Sequence, residues 1–362
     1  MAVLGLGLGA CSSSSHSSTS PTTVTTTGSS ASTSTPTTAG APAARPINHV
    51  FVINLENKDY ASTWGPGSVA RYLNGTLVPQ GVLLTKYYAI GHVSLDNYIA
   101  EISGQSPNPS TQSDCIKYTE FVAHGTGAYQ QALGQGCVYP SSVSTVANQL
   151  TAAHLTWHSY QESMGVPCRH PQIGTIDTTI AGVNHNRYVT RHNPFVYFHS
   201  IIDGGACVAN VVDLSSLLVD LTSAATTPNL SFITPNLCND AHDCSLAQAD
   251  AFLQLWVPRI LASPAYKAGG MLVITLDESD NDASACCNTP PSPNTPKPGG
   301  TGPGGGLIGA LVLSPHAKVG ATSAVPYNHY ALLCSIENAF GLAHLGFAGA
   351  PGLTCFGNDI YR

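Results

Sequence analysis

The chain has 362 residues, of which 43% are hydrophobic and only 9% charged, with 25 prolines, 35 glycines and a net charge of −7. That length allows one large domain or two, and the charge balance leaves no basic footprint for a nucleic acid. No apolar run approaches the ~20 residues that span a bilayer, and few charges among many turn residues suit a loop-rich exported protein.

In chain order, residues 1–44 contain no Asp, Glu, Lys or Arg. Met1 to Ala10 is apolar and ends in Leu8-Gly9-Ala10-Cys11, which is similar to the lipobox of bacterial lipoproteins. Residues 1–11 therefore read as a lipoprotein-type signal, truncated because the positive n-region is missing. The alternative is an uncharged tail whose cysteine has no role. Residues 12–45, almost wholly Ser, Thr, Pro, Ala and Gly, cannot build a core and read as a tether. Residues 46–362 read as the folded domain.

Setting Cys11 aside, ten of the 11 cysteines remain, enough for five disulfides in an oxidising compartment. Proximity pairs Cys115 with Cys137, Cys168 with Cys207, Cys238 with Cys244 and Cys334 with Cys355. Cys286-Cys287 forms a vicinal pair or pairs elsewhere. The spacing matches no zinc finger.

Asn48 to Leu55 is a buried strand ending in Glu56-Asn57-Lys58-Asp59. Leu83 to Tyr88 is a strand-like approach to a polar turn, Gly91-His92-Val93-Ser94, followed by a helix over Asn97–Ser106. Gln112 to Tyr139 reads as a glycine-rich insertion. A helix over Ser141–Leu155, capped by Ser141 or Ser142, leads into a strand over Thr156–Tyr160. Cys168 to Asn186 is loop, and Arg191-His192-Asn193 is a compact polar group. Leu214 to Thr222 is helical, and Leu230 to Thr234 is a strand running into Pro235–Cys244. A helix over Leu246–Leu261 precedes the strongest buried strand, Gly270–Leu276, which ends in Asp277-Glu278. A Pro/Gly-rich loop (279–306), a strand over Leu307–Leu313 and a helix from Asn328 to Phe340 complete the chain. Helices followed at once by strands predict βαβ units, hence an α/β fold with a doubly wound, mostly parallel sheet between helix layers.

One event recurs. A buried strand ends and oxygen or nitrogen ligands follow: Glu56-Asn57, then His92/Ser94/Asn97, Asp240/His242/Asp243 and Asp277-Glu278, with Asn328-His329 before the last helix. Parallel strands open their C-terminal ends on one edge, so these groups can converge. Carboxylates, imidazoles and one hydroxyl suit a divalent metal and a nucleophile working on phosphate.

These residues carry a family resemblance over roughly Ile47 to Gly346. His92-x-Ser94-x-x-Asn97-Tyr98 is similar to the His-Pro-Ser-x-Pro-Asn-Tyr segment of secreted acid phosphatases in the phosphoesterase family, which also holds bacterial phospholipases C. Thr234-Pro235-Asn236 through Asn239-Asp240-x-His242-Asp243 resembles that family's Thr-Pro-Asn…Asn-Asp-Gly-His-Asp segment. Glu56-Asn57, Asp277-Glu278 and Tyr327-Asn328-His329-Tyr330 match in order. Val93, Asp96 and Ala241 depart from the family's two prolines and glycine. The resemblance implies an alkaline-phosphatase-like fold, with residues 46–362 as the catalytic domain. It also implies a phospho-enzyme on Ser94 and a divalent cation (Ca, Mg, Mn or Zn) held by Glu56, Asn57, Ser94, Asp277 and Glu278. Asn97 would donate to a phosphate oxygen. His192, His242 and His329 would contact phosphate or protonate the leaving group, with His92 and Asp240 completing the site.

The expected function is an exported phosphate-ester hydrolase, most simply an acid phosphatase on phosphomonoesters. Alternatives are a phospholipase C-type phosphodiesterase or a non-catalytic surface binding protein on the same fold. No Gly-x-Ser-x-Gly elbow supports an acyl hydrolase. Partners are a small phosphate ester or phospholipid and no nucleic acid, with membrane contact only through a lipid anchor at Cys11. The location is the cell surface as a lipoprotein, or the secreted medium. Oligomeric state stays open.

Overall fold

A computed structural model describes residues 47–180, 187–295 and 302–362. The signal, Cys11 and tether readings lie outside the described residues, as does part of each of two predicted loops, 168–186 and 279–306.

The strands are β1 (Val50–Leu55), β2 (Val82–Leu84), β3 (Tyr87–Tyr88), β4 (Val122–Thr126), β5 (Ala132–Gln135) and β6 (Trp157–Gln161). They continue with β7 (Val211–Asp213), β8 (Leu230–Thr234), β9 (Met271–Leu276), β10 (Ala310–Leu313), β11 (Ala321–Ser323) and β12 (Tyr327–Asn328). Eight of them form one sheet in the order β11-β2-β10-β9-β1-β8-β6-β7. It is mostly parallel, as predicted; the antiparallel pairings are those of β10 with β9 and β2. β1, β8 and β9 are buried along their whole length. That explains why they read as near-continuous apolar runs rather than alternating patterns.

The one amide in β1, Asn54, is fully buried and donates from Nδ2 to Glu101 Oε2 at 2.5 Å. Glu101 in turn pairs with His329, whose Nε2 donates to the Asp277 carbonyl at 2.7 Å. A polar chain thus crosses the core and fixes the end of β9.

Helix positions required correction. The helix after the Ser94 turn spans Ser94–Ser103, not Asn97–Ser106. It stops at Gly104, whose φ of +66° only glycine adopts at low cost; a Cβ there would also stand 2.3 Å from the Leu345 carbonyl. The predicted Ser141–Leu155 helix shrinks to Val146–Ala152. Its cap is Thr145, in a reciprocal capping box with Asn148, rather than Ser141 or Ser142. Leu214–Thr222 is a 3₁₀ turn (Leu214–Ser216) followed by a short helix (Leu217–Asp220). The Leu246–Ala262 and His329–Phe340 helices fall within a residue of expectation, and Asn328 caps the latter by accepting from the Ala331 N–H. The predicted Leu307–Leu313 strand begins only at Ala310, after Gly309 at φ +75°. The 112–139 insertion contains the antiparallel β4–β5 hairpin. All five disulfides take the nearest-neighbour pairing, Cys286–Cys287 being vicinal.

Glu337 is buried where the Val146–Ala152 and His329–Phe340 helices meet; its Oε1 accepts from the Leu345 N–H at 2.9 Å. Burial pushes its carboxyl up to about 8, against the pull of Leu345 and Gln149. The unfolded chain binds fewer protons here than the folded one between the ordinary glutamate range and pH 8. Stability should therefore fall as pH rises through that window, with a slope approaching ~1.4 kcal/mol per pH unit. Urea denaturation from pH 5 to 8 should show this slope flattened in Glu337→Gln; an unchanged slope would refute the assignment.

Candidate active site

β9, β1 and β8 are adjacent, and the β1–β9 register pairs Leu55 with Leu276. The next residues, Glu56 and Asp277, therefore emerge side by side. The Asp277 N–H bonds the Leu55 carbonyl at 3.0 Å, and the Glu56 N–H bonds the Asp240 carbonyl at 2.8 Å. Three acids from three neighbouring strand ends are thus drawn together, and Glu56, Asp240 and Asp277 are all buried. Burial raises the Glu56 and Asp240 carboxyls well above their usual range, and the charges of Asp277 and, for Glu56, of Asp240 raise them further. Lys58, next in sequence, does not neutralise them: its ammonium bonds the carbonyls of Asn57 and Ala241, both at 3.0 Å.

Ser94 is the first residue of its helix and is buried, not exposed on a turn. Its hydroxyl donates to Glu56 Oε2 at 3.1 Å, and the Tyr98 hydroxyl, one turn later, donates to Glu56 Oε1 at 2.5 Å. Tyr98 also stacks on His192, ring centroids 5.4 Å apart. Asn97 holds the turn. Its Oδ1 accepts from Ile90 N (2.7 Å) and Gly91 N (3.1 Å), and its Nδ2 donates to the carbonyls of Gly91 (2.9 Å) and Val93 (3.1 Å). Both amide protons are spent inside the loop, so none points at a phosphate oxygen.

Val93 has φ +69° and ψ 151°, a region that β-branched residues almost never adopt and that a proline ring forbids. The departure from the family's proline therefore goes with a different backbone, pinned by Asn97 on the Val93 carbonyl and by Glu278 Oε2 on its N–H at 3.1 Å. Ala241 likewise has φ +81°, which accounts for the glycine in the family's motif.

The histidines divide. His192 Nδ1 lies 3.2 Å from Asp240 Oδ2 and 3.4 Å from Glu56 Oε1. Burial, with Arg191 and His242 nearby, holds it well below the usual range and hence neutral. His242 reaches Asp243 through Nδ1 (2.6 Å) and Arg191 through Nε2 (3.0 Å). Because arginine can only donate, Nε2 is the acceptor and the proton sits on Nδ1. His92 bonds Glu278 through Nδ1 at 2.5 Å and the Asp282 carbonyl through Nε2 at 2.9 Å. That bond to Glu278 raises His92, while burial pushes Glu278 up to about 7, so the pair shares a proton near neutrality. His329 stands behind β9 on Glu101 and the Asp277 carbonyl. Burial lowers it, but the charge and hydrogen bond of Glu101, together with the Asp277 carbonyl and charge, leave it raised.

Three residues carried no site role in the sequence reading. Arg191, with 6% exposure, lies beside His242; its Nε is 3.5 Å from Asp114 Oδ2, and Asp114 Oδ1 accepts from Leu95 N at 3.0 Å. Asp96 is buried with both oxygens unbonded, and burial, with Glu278 and Asp114 nearby, raises it well above the usual range. Arg191 stood beside His192 in the sequence, but nothing there marked it as buried or tied Asp114 to it across 77 residues.

The donor set fits a divalent cation. Buried atoms without a hydrogen-bond partner include Asn57 Oδ1, Asp277 Oδ2, Asp240 Oδ2 and both His192 ring nitrogens. Glu56, His192 and His242 also each bring one ligand atom within 4.8 Å of the others. Orphaned acceptors around mutually repelling acids are what a bound cation satisfies. A separate cavity of about 740 Å³ borders the approach to the Ser94 turn at Ala89 and Ile90 and includes the Cys286–Cys287 disulfide in its wall.

Asn97→Ala should cost ~2–4 kcal/mol of folding stability, because it leaves Ile90 N and Gly91 N buried without an acceptor. Chemical denaturation checks this; an unshifted midpoint with lost activity would mean that Asn97 acts on ligand instead.

The sequence profile of the phosphoesterase family matches residues 73–343. Among curated relatives, the phosphate-repressible acid phosphatase of Penicillium chrysogenum is 28% identical over 292 residues, 81% of this chain and 58% of that protein. An acid phosphatase of Aspergillus fumigatus is 25% identical over 83% of this chain and 56% of its own length. The chain thus spans less than two thirds of these fungal relatives. The phosphatidylinositol-3-phosphatase of Mycobacterium tuberculosis is 24% identical over 88% of this chain and 86% of that protein. Among solved structures, a Bacteroides thetaiotaomicron protein described with the metabolism of glycosaminoglycans aligns with a TM-score of 0.50 at 10% identity. That alignment covers 87% of this chain and 82% of that one, a likeness of fold. A Vibrio parahaemolyticus protein of the alkaline phosphatase superfamily aligns at 0.48 and 11% identity, over 83% and 68%. With three quarters of its length under that profile, the chain belongs to the phosphoesterase family.

Proposed function

We propose that the chain is a metal-dependent phosphomonoesterase that works through a phosphorylated Ser94. The observation that carries this reading is the Ser94 hydroxyl held 3.1 Å from Glu56 at the edge of a buried acid cluster with orphaned acceptors. Glu56, Asn57, Asp277 and Glu278 would hold the divalent metal, with Ser94 Oγ as a further ligand. When bound, the metal lowers the hydroxyl's pKa and neutralises charge on the phosphoryl group.

The chain's own residues do the rest. Glu56 and Tyr98 fix the Ser94 hydroxyl, and burial of the cluster strengthens every electrostatic contact there. His242 and the neutral His192 would face the phosphoryl position. His92, whose bond to Glu278 raises its pKa, would be the proton donor to the departing alkoxide. His329 and Asn97 act on position: the first through the Asp277 carbonyl, the second through the turn.

The names of the relatives support phosphomonoesters as the substrate class, and that of the mycobacterial relative extends it to phosphorylated lipid head groups. Five disulfides suit an exported protein, cell-surface or secreted.

Ser94→Ala should lose roughly 10³-fold or more in turnover of a phosphomonoester. It forfeits a single hydrogen bond, about 1 kcal/mol, so it should still fold. Near-normal turnover in the folded variant would sink the assignment. Exhaustive chelation should lower activity and a divalent cation should restore it, assayed on a panel of phosphomonoesters, phosphodiesters and phosphatidylcholine. Asp277→Asn should weaken metal binding, read by calorimetry, more than it lowers the melting temperature of the metal-free protein. Full turnover in a metal-stripped sample would overturn the metal model.

A further inference from the structure

Asp114 sits in an unusual place. It follows the short Thr111–Ser113 turn and directly precedes Cys115, which is tied to Cys137. Asp114 and Cys115 both have positive φ, +52° and +49°. This left-handed pair turns the Asp114 carboxylate onto the start of the Ser94–Ser103 helix, where Oδ1 accepts from Leu95 N, the amide directly after the nucleophile. Oδ2 faces Arg191 Nε at 3.5 Å, which is ion-pair distance and too long for a hydrogen bond. Arg191 is 94% buried by its 6% exposure, and its Nε has no hydrogen-bond partner.

The groups close a ring. Ser94 Oγ touches Glu56, whose ligand atom clusters with those of His192 and His242. His242 touches Arg191, Arg191 faces Asp114, and Asp114 returns to Leu95 next to Ser94. Leu95 N and the Arg191 guanidinium are therefore anion donors flanking the nucleophile. In the free protein, the anion they hold is a carboxylate.

That carboxylate is poorly placed except for those two donors. Asp96, Asp277 and Glu278 all stand close enough to act on it, or to be acted on by it, as like charges. Its side chain is 23% exposed, so it lies at the open rim of the ring. A tetrahedral phosphoryl group offers the same two acceptors with more charge, and a guanidinium grips it with two parallel bonds. Two anions cannot share the donors without strong repulsion.

We propose that Asp114 is a built-in stand-in for the substrate's phosphoryl group. It occupies the Leu95 N–Arg191 anion site in the free protein and moves aside when phosphate binds over Ser94. Arg191 is then a phosphate-binding residue, and the disulfide-anchored turn that carries Asp114 sets how tightly product phosphate is kept. This rests on the phosphomonoesterase reading for the identity of the anion.

The test is calorimetric titration of inorganic phosphate into metal-loaded protein, which reads binding without turnover. Asp114→Asn keeps the shape and removes the competing charge, and should bind phosphate about tenfold tighter. Arg191→Gln should bind it about tenfold weaker or worse, and Arg191→Lys should fall between Arg191→Gln and the wild type while preserving the buried charge if Gln impairs folding. The double variant Asp114→Asn/Arg191→Gln should stay weak, because the phosphate donor is gone. Phosphate affinity in Asp114→Asn equal to or below wild type overturns the proposal, as does a double variant that binds like Asp114→Asn. Either result in a wild-type enzyme that hydrolyses phosphomonoesters removes the stand-in alone. Absence of any such hydrolysis removes the phosphomonoesterase reading.

Discussion

The structure depends on carrying several carboxylates into a desolvated place. β9 and β1 lie side by side and end at the same level, and the loop after β8 is bonded to Glu56 through the Asp240 carbonyl, so Glu56, Asp277 and Asp240 cannot avoid one another. In water such acids would separate; here the sheet's hydrogen-bond register forbids it. The protein meets the resulting repulsion locally with hydroxyl donors from Ser94 and Tyr98 on Glu56, with a neutral histidine between Glu56 and Asp240, and with acceptors left open to a cation. Sites of this kind are stable only while the surrounding scaffold holds them, which makes the scaffold part of the chemistry.

Two sets of contacts supply that rigidity. On one side, Asn54, Glu101 and His329 form a buried polar chain that ends on the Asp277 carbonyl. Each of the three side chains is bonded or ion-paired to the next, which is how buried polar groups are satisfied. On the other side, Asn97 closes the loop that delivers Ser94, and Glu278 and Asn97 hold Val93 in a backbone region that it would not choose alone. Tyr98 joins the two sides, bonding Glu56 and stacking on His192. The helix starts at Ser94 itself, rather than three residues later, which brings its N-terminal end to the space beside the Ser94 hydroxyl.

Elements buried on both faces of the sheet were legible from sequence. The runs in β1, β8 and β9 are long, apolar and bounded by polar clusters, and the five disulfides join sequence neighbours. Helix ends were less legible. Gly104 as a stop and Thr145 as a cap are single-residue signals that compete with equally plausible serines nearby, and tertiary contacts such as Leu345 against Gly104 decide between them. The candidate site followed the same rule. The residues of Glu56-Asn57, His92-x-Ser94 and Asp277-Glu278 stood out because strand ends in a parallel sheet share an edge. The direction of each side chain did not.

The sequence alone therefore determined the sheet's central strands and the set of reactive residues that gather at one edge, and it suggested, without settling, the pairing of neighbouring cysteines. Those follow from burial and local chain reach, which hydrophobic pattern and spacing encode directly. Only the tertiary structure decided that Asn97 spends its amide on its own loop and that His329 buttresses a carbonyl. It alone also brought Arg191 and Asp114 to the N-terminus of the Ser94 helix. These are matters of where a side chain points, within its own loop or across tens of residues of chain. No one-dimensional pattern carries that information, because orientation is fixed by packing around the whole site.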